Sequence, residues 1–193
     1  MTRAMLLAVA LLAGLGGCSL IASAPTGEGQ TGEGPTGEAP IVGEAQGPPD
    51  DALTMEVVSI TDGDTLTLRT DEPTALVGTT DPVPVRLIGI DAPEAYPLLE
   101  CFGEEATAAL AALAPVGTAL RVAVDVEARD RYDRLLLYLW TPAGEFLNVR
   151  LVADGVATAI LVEPNGAHID ELRAAEDEAR AAGVGMWGAC AGR

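Results

Sequence analysis

Between residue 19 and about residue 53 the chain carries almost no large apolar side chain. That gap decides where a core can form. Thr26-Gly27-Glu28-Gly29-Gln30, Thr31-Gly32-Glu33-Gly34-Pro35 and Thr36-Gly37-Glu38-Ala39-Pro40 form a five-residue repeat. Gly and Pro with a periodic Glu bury too little surface to offset the entropy of ordering, so residues 18–53 are expected to form a flexible tether. Glu28, Glu33, Glu38, Glu44, Asp50 and Asp51 keep it hydrated and off an anionic membrane. About 140 of the 193 residues remain for folding, the length of one ordinary domain with a real core, here 54–193.

Ahead of the tether, Arg3 is the one charge before an apolar run from Met5 to Leu15, too short to span a bilayer. The run ends in Leu15-Gly16-Gly17-Cys18, which resembles the bacterial lipobox. Residues 1–17 are therefore expected to be an export signal, and Cys18 the lipidated first residue of a protein anchored to the cell envelope. A lipidated Cys18 leaves Cys101 and Cys190, an even pair in an oxidising compartment. A disulfide between them is expected, and by chain entropy it is worth roughly 4 kcal/mol.

The formal charge is −18, from 11 arginines and 29 acids, with no lysine anywhere. Setting aside Arg3 and the six tether acids leaves 10 arginines and 23 acids, or −13 for the domain. A protein that grips nucleic acid by counter-ion release is normally basic, so tight nonspecific DNA binding is not expected. A site where a few arginines and a cation handle one phosphate at a time remains compatible with this balance.

Residues 55–61 and 64–70 read as a hairpin about a two-residue Asp62-Gly63 turn. A third strand is expected over 83–90, and further strands over 118–126 and 135–140. Helices are expected over 101–114, 147–153 and 169–182, each stopped by Gly or Pro. Five strands interrupted by one helix, with more helix at the end, predict an α+β fold that is mostly β. Its core would be a five-stranded OB-type barrel carrying about three helices. His168, the one histidine, is expected at the surface or capping the last helix, and Tyr138, Trp140 and Trp187 as packing residues.

Three stretches carry chemistry. Arg86-Leu87-Ile88-Gly89-Ile90-Asp91-Ala92-Pro93-Glu94 joins an arginine, an apolar run and two carboxylates. Alone it fits a core strand with a solvated turn equally well. Asp62-Gly63-Asp64-Thr65 is a turn, yet it places Asp64 at a strand start, where a carboxylate is a poor choice. If a barrel mouth gathers Asp64 and Asp91, they repel unless a cation lies between them, and oxygen-only ligands suit Ca²⁺ or Mg²⁺. Arg129-Asp130-Arg131-Tyr132-Asp133-Arg134 is either a loop laced with ion pairs or a way to aim Arg134 at a phosphate.

Taken in order with Phe102-Gly103-Glu104-Glu105-Ala106, Leu147-Asn148, Leu151-Val152 and Met186-Trp187, these stretches resemble the staphylococcal nuclease-like (thermonuclease) family over residues 55–190. The resemblance implies an OB-fold barrel with three helices and Ca²⁺-dependent hydrolysis of phosphodiesters in DNA or RNA. It implies Ca²⁺ on Asp64, Asp91 and the Ala92 carbonyl, water on Glu94, and phosphate on Arg86 and Arg134. A monomer is expected. Three departures stand out: Asp133 where the family usually has glycine, Ile160 and Val162 where nucleotide-contacting tyrosines occur, and a short, lysine-free segment 95–100. The alternatives are a binding module of the same fold without turnover, and an envelope lipoprotein that binds Ca²⁺ for structure alone.

Overall fold

A computed structural model describes residues 47–192; the export signal, Cys18 and the glutamate repeats lie outside that range. Among the described residues the strands are β1 (Leu53–Ile60), β2 (Thr65–Arg69), β3 (Val83–Leu87), β4 (Ile90–Asp91), β5 (Ala119–Ala123), β6 (Leu135–Trp140) and β7 (Thr158–Ala159). The helices are α1 (Gly103–Leu113), α2 (Leu147–Ala153), α3 (Ile169–Ala182) and the single turn α4 (Met186–Ala189). Five strands close into a barrel in the order β1-β2-β3-β6-β5, as the pattern predicts. Only β3 and β6 run parallel within it.

The barrel closes because alternate residues of each strand are apolar and turn inward. Met55 and Val57, Leu66 and Leu68, Val85 and Leu87, Leu120 and Val122, and Leu135 and Leu137 are all buried. β6 is apolar without alternation because both its faces are covered. On its outer face Tyr138 and Trp140 meet Phe146, which stacks on Trp140 with ring centroids 4.7 Å apart. His168 joins this cluster, its ring edge-on to Tyr138 at 4.6 Å and to Phe146 at 4.8 Å. It stands at the N-cap position of α3 without a side-chain capping bond, so it packs rather than caps. Trp187 is half-buried under the Arg180 guanidinium, 4.3 Å from its ring centre.

Of the boundaries that differ from the sequence expectation, two build the site. β3 stops at Leu87, not at residue 90, because Gly89 takes φ +79° and turns the chain away from the barrel. A Cβ at Gly89 would lie 2.4 Å from the Leu172 side chain. Ile90-Asp91 then forms a separate ladder with Thr158-Ala159. The β1–β2 hairpin turns over four residues, 61–64, not two, so Asp64 belongs to the turn and not to the strand. The Asp62 side chain accepts the Asp64 N–H at 3.1 Å, while the Thr61 and Asp62 N–H groups both donate to the Thr65 carbonyl.

Asn148 clips this arrangement together. Fully buried at the start of α2, it accepts the Leu139 N–H at 3.0 Å and donates to the Ile88 carbonyl at 2.8 Å. It thus ties β6 to the bend that ends β3. Asn148→Ala strands two buried backbone groups and is expected to lower the unfolding free energy by about 2–4 kcal/mol. Urea titration measures this, and a loss well under 1 kcal/mol would contradict the clip. At the far end of the chain Cys101 is bonded to Cys190, 89 residues away, tying the foot of α1 to the end of α4.

Candidate active site

The Asp62–Thr65 turn lies against Ala92 and α1 so closely that only glycine fits at its centre. A Cβ on Gly63 would lie 2.7 Å from the Cβ of Ala92 and 2.8 Å from that of Ala106. This contact carries Asp64 under the β3–β4 bend. Its Oδ2 accepts the Ala92 N–H at 2.8 Å, its Oδ1 accepts the Thr65 hydroxyl at 3.0 Å, and its carbonyl accepts the Leu87 N–H at 2.9 Å.

Arg86 stands beside Thr65 on one side and Leu136 on the other. Its guanidinium spans the two carboxylates: one terminal nitrogen pairs with Asp64 Oδ2, the other with Asp91 Oδ1 at 2.8 Å. The first contact is ionic and off the line of a hydrogen bond, so this buried nitrogen has an N–H with no aligned acceptor. Burial pushes the Asp64 carboxyl up to about 7, against the pull of Arg86 and of the Ala92 N–H; Asp62 adds to the rise and the Thr65 hydroxyl opposes it.

Arg134 reaches the same cleft from the loop before β6. Asp133 takes φ +66°, the left-handed conformation for which glycine is the usual choice and Asp a tolerated one. Arg129 donates to both the carbonyl and the carboxylate of Asp133. The residue that holds Arg134 is Asp130, which the sequence reading did not single out. Its Oδ2 accepts Arg134 Nε at 2.7 Å, and its Oδ1 accepts the N–H groups of Tyr132 and Arg134. Burial raises the Asp130 carboxyl, but the bonds from Arg134 and from those two N–H groups outweigh it and hold it below the usual carboxylate range. No described residue hydrogen-bonds the two terminal amino groups of Arg134, whose guanidinium lies over the Tyr132 ring, 5.7 Å from its centre. An acid four residues before an arginine was the available signal, hidden in a run where every residue but Tyr132 is charged.

Arg86 and Arg134 line one cleft of about 480 Å³. Tyr132, Ile160 and Val162 also line it, all with exposed apolar surface. Asp64, Asp91 and Ala92 do not line it themselves but adjoin it through Arg86, and Glu94 does not line it at all. It lies exposed beyond β4, where its N–H donates to a Glu100 carboxylate oxygen and its carbonyl accepts the Glu100 N–H. The structure thus brings together Asp64, Arg86, Asp91 and the Ala92 backbone, places Arg134 on the cleft that Arg86 also lines, and leaves Glu94 exposed outside that lining.

This donor set fits a hard dication. Asp64 and Asp91 already share one cationic group, and the desolvated Asp64 gains from a stronger one. No three His, Cys, Asp or Glu side chains cluster as metal ligands among the described residues. Two carboxylates and a carbonyl leave coordination to be completed by water and a phosphate oxygen, as hard oxygen-loving cations accept. Protons compete for Asp64, so a dication held there would bind about tenfold more weakly per unit as pH drops below about 7, levelling off above it. By the same shift the metal-free protein binds a proton that the unfolded chain releases from pH about 4 upward, so its stability declines between about 4 and 7. Calorimetric Ca²⁺ titration at pH 6, 7 and 8 reads the first effect; a flat series would contradict it.

A family described as staphylococcal nuclease homologue matches residues 84–189. "Protein ParB" of Escherichia coli is 37% identical over 142 residues, covering 68% of this chain and 71% of its own length. The "Thermonuclease" of Staphylococcus hyicus is 26% identical over 137 residues, covering 69% of this chain and 75% of its own. "Endonuclease YhcR" of Bacillus subtilis is 31% identical over 138 residues, 66% of this chain but 11% of that much longer protein.

Proposed function

The chain belongs to the staphylococcal nuclease homologue family, and from that premise we propose that it is a Ca²⁺-dependent nuclease hydrolysing phosphodiester bonds of DNA or RNA. The observation that carries the reading is the cleft with Arg86 and Arg134 on its walls and the carboxylates of Asp64 and Asp91 beside it. Asp64, Asp91 and the Ala92 carbonyl would hold Ca²⁺, which offsets the charge of the bound phosphate and polarises it. Arg86 and Arg134 bind the phosphate oxygens and stabilise the charge that grows on them. Glu94 orients the attacking water and accepts its proton at a carboxylate oxygen. Tyr132, Ile160 and Val162 offer an apolar floor for one nucleoside.

Residues 1–18 support the accompanying proposal that the protein is exported and lipid-anchored through Cys18, with residues 18–53 as its tether. A domain charge of −13 without lysine then predicts shallow salt dependence of substrate binding in the absence of Ca²⁺. The slope of log K against log salt should correspond to on the order of two to three phosphates neutralised. A slope as steep as that of a basic DNA-binding domain would reveal a cationic surface outside this account. The activity itself is tested by a zymogram with DNA or RNA in the gel: clearing with Ca²⁺ and none with chelator is expected. Clearing that survives chelation, or none at all, contradicts the proposal.

A further inference from the structure

The loop that follows Glu94 is built against the usual rule for exposed loops. Tyr96, Leu98 and Leu99 are 83%, 80% and 63% exposed, three large apolar side chains within four residues. Contiguous exposed apolar surface on a folded domain marks an interaction site more often than accident. The loop is also firmly held at its base. The Glu94 N–H donates to Glu100 Oε2 at 3.1 Å, and the Glu100 N–H donates to the Glu94 carbonyl at 2.8 Å. Gly103 lies so close beneath that a Cβ there would stand 2.3 Å from the Glu94 carbonyl oxygen. Cys101, the residue after Glu100, is fixed by its bond to Cys190. A six-residue loop closed at the neck and stapled beside it presents its apolar tip on a stable base.

Resting on the nuclease reading, we propose that Tyr96, Leu98 and Leu99 form an apolar lip that receives an unpaired base of the substrate strand next to the scissile phosphate. Position argues for this occupant. Only Ala95 separates Tyr96 from Glu94, so their Cα atoms are at most about 7 Å apart. A strand whose phosphate is attacked from Glu94 therefore carries its neighbouring base past the loop. Charge argues for it as well. The domain has no lysine and a net charge of −13, so a strand gains little grip from its backbone charge beyond the arginines of the cleft. Base stacking on aromatic and apolar side chains supplies affinity without charge, and it needs a base free of its partner. Glu94 and Glu100 close the neck, which sets the loop against any anionic surface, lipid or phosphate, and leaves the neutral face of a base as what the tip can receive.

The test compares the full-length wild type with the triple variant Tyr96→Ala, Leu98→Ser, Leu99→Ser, whose side chains are exposed and whose neck bonds are untouched. The substrate is a single-stranded tetranucleotide with one cleavable phosphodiester, its other linkages being methylphosphonates, in Ca²⁺. The variant should raise KM roughly 5- to 150-fold, the range of one stacked base, with kcat little altered. Making the nucleotide beside the cleavable bond abasic should raise the wild-type KM by a similar factor. The loss caused by the variant should then vanish, because loop and base are partners. Equal KM for the two proteins on the intact tetranucleotide, or a loss that persists on the abasic one, overturns the proposal. With Cys18→Ala added to both proteins to remove the proposed anchor, sedimentation with phosphatidylcholine vesicles of the protein with the wild-type loop but not of the triple variant, at unchanged KM, overturns it in favour of a lipid contact. Failure of the wild type to cleave any substrate marks failure of the nuclease reading itself, and the lip falls with it. Thermal unfolding of both proteins, expected to coincide, confirms that the fold is intact.

Discussion

Glu94→Gln is expected to lower kcat by roughly 10²–10⁴ while leaving the fold intact. The substitution keeps the size of the side chain and removes its basicity. The main-chain bonds of Glu94 close the neck of the loop, and those survive in glutamine. The side chain is exposed, so a stability change within about ±0.5 kcal/mol is expected. Ca²⁺ affinity should change less than in Asp91→Ala, which deletes a proposed direct ligand. A Glu94→Gln protein that retains wild-type turnover would remove Glu94 from the chemistry and leave water activation to another group.

Arg134→Ala is expected to cost about 10³ in kcat with a smaller change in KM. The contact strengthens as charge develops on the phosphoryl oxygens, so most of its value appears in the transition state. Asp130 holds Nε and leaves the two terminal amino groups without a hydrogen-bond acceptor among the described residues, a fork suited to two oxygens of one phosphate. Arg134→Lys should rescue little, since a single ammonium cannot reproduce that fork and loses the clamp on Nε. Steady-state kinetics on a defined oligonucleotide separates the two parameters. A change confined to KM would make Arg134 a ground-state binding residue.

The sequence made the framework legible where one physical signal dominated. β6, α2 and α3 have the boundaries their periodicity predicts, because an apolar run or an amphipathic face ends at a glycine, a turn or a charged cluster. The end of β3 was illegible, because Ile88 and Ile90 continue its apolar run. Only packing against Leu172 reveals that Gly89 must turn the chain. The pairing of Asp64 with Asp91 was readable as a possibility, but the cation between them, Arg86, was not, since strand parity does not say which way a guanidinium reaches. Asp130 was hidden for a different reason: in a run of alternating charges every acid is a plausible partner for every arginine, and only geometry selects one. The apolar tip at Tyr96–Leu99 was noted in the sequence for what it lacks, lysine, rather than for what it exposes.

The account stands most directly on the Ca²⁺ dependence of cleavage, measured side by side for wild type and Asp91→Ala on one oligonucleotide. Wild type should show a rate that saturates with Ca²⁺ and is abolished by chelator, and Asp91→Ala should need far more Ca²⁺ to reach a lower plateau. Suppose instead that wild type cleaves nothing at any Ca²⁺ concentration, while Asp91→Ala, Glu94→Gln and Arg134→Ala all bind the oligonucleotide as well as it does. The constellation would then be a binding surface, and the proposed hydrolysis would be wrong.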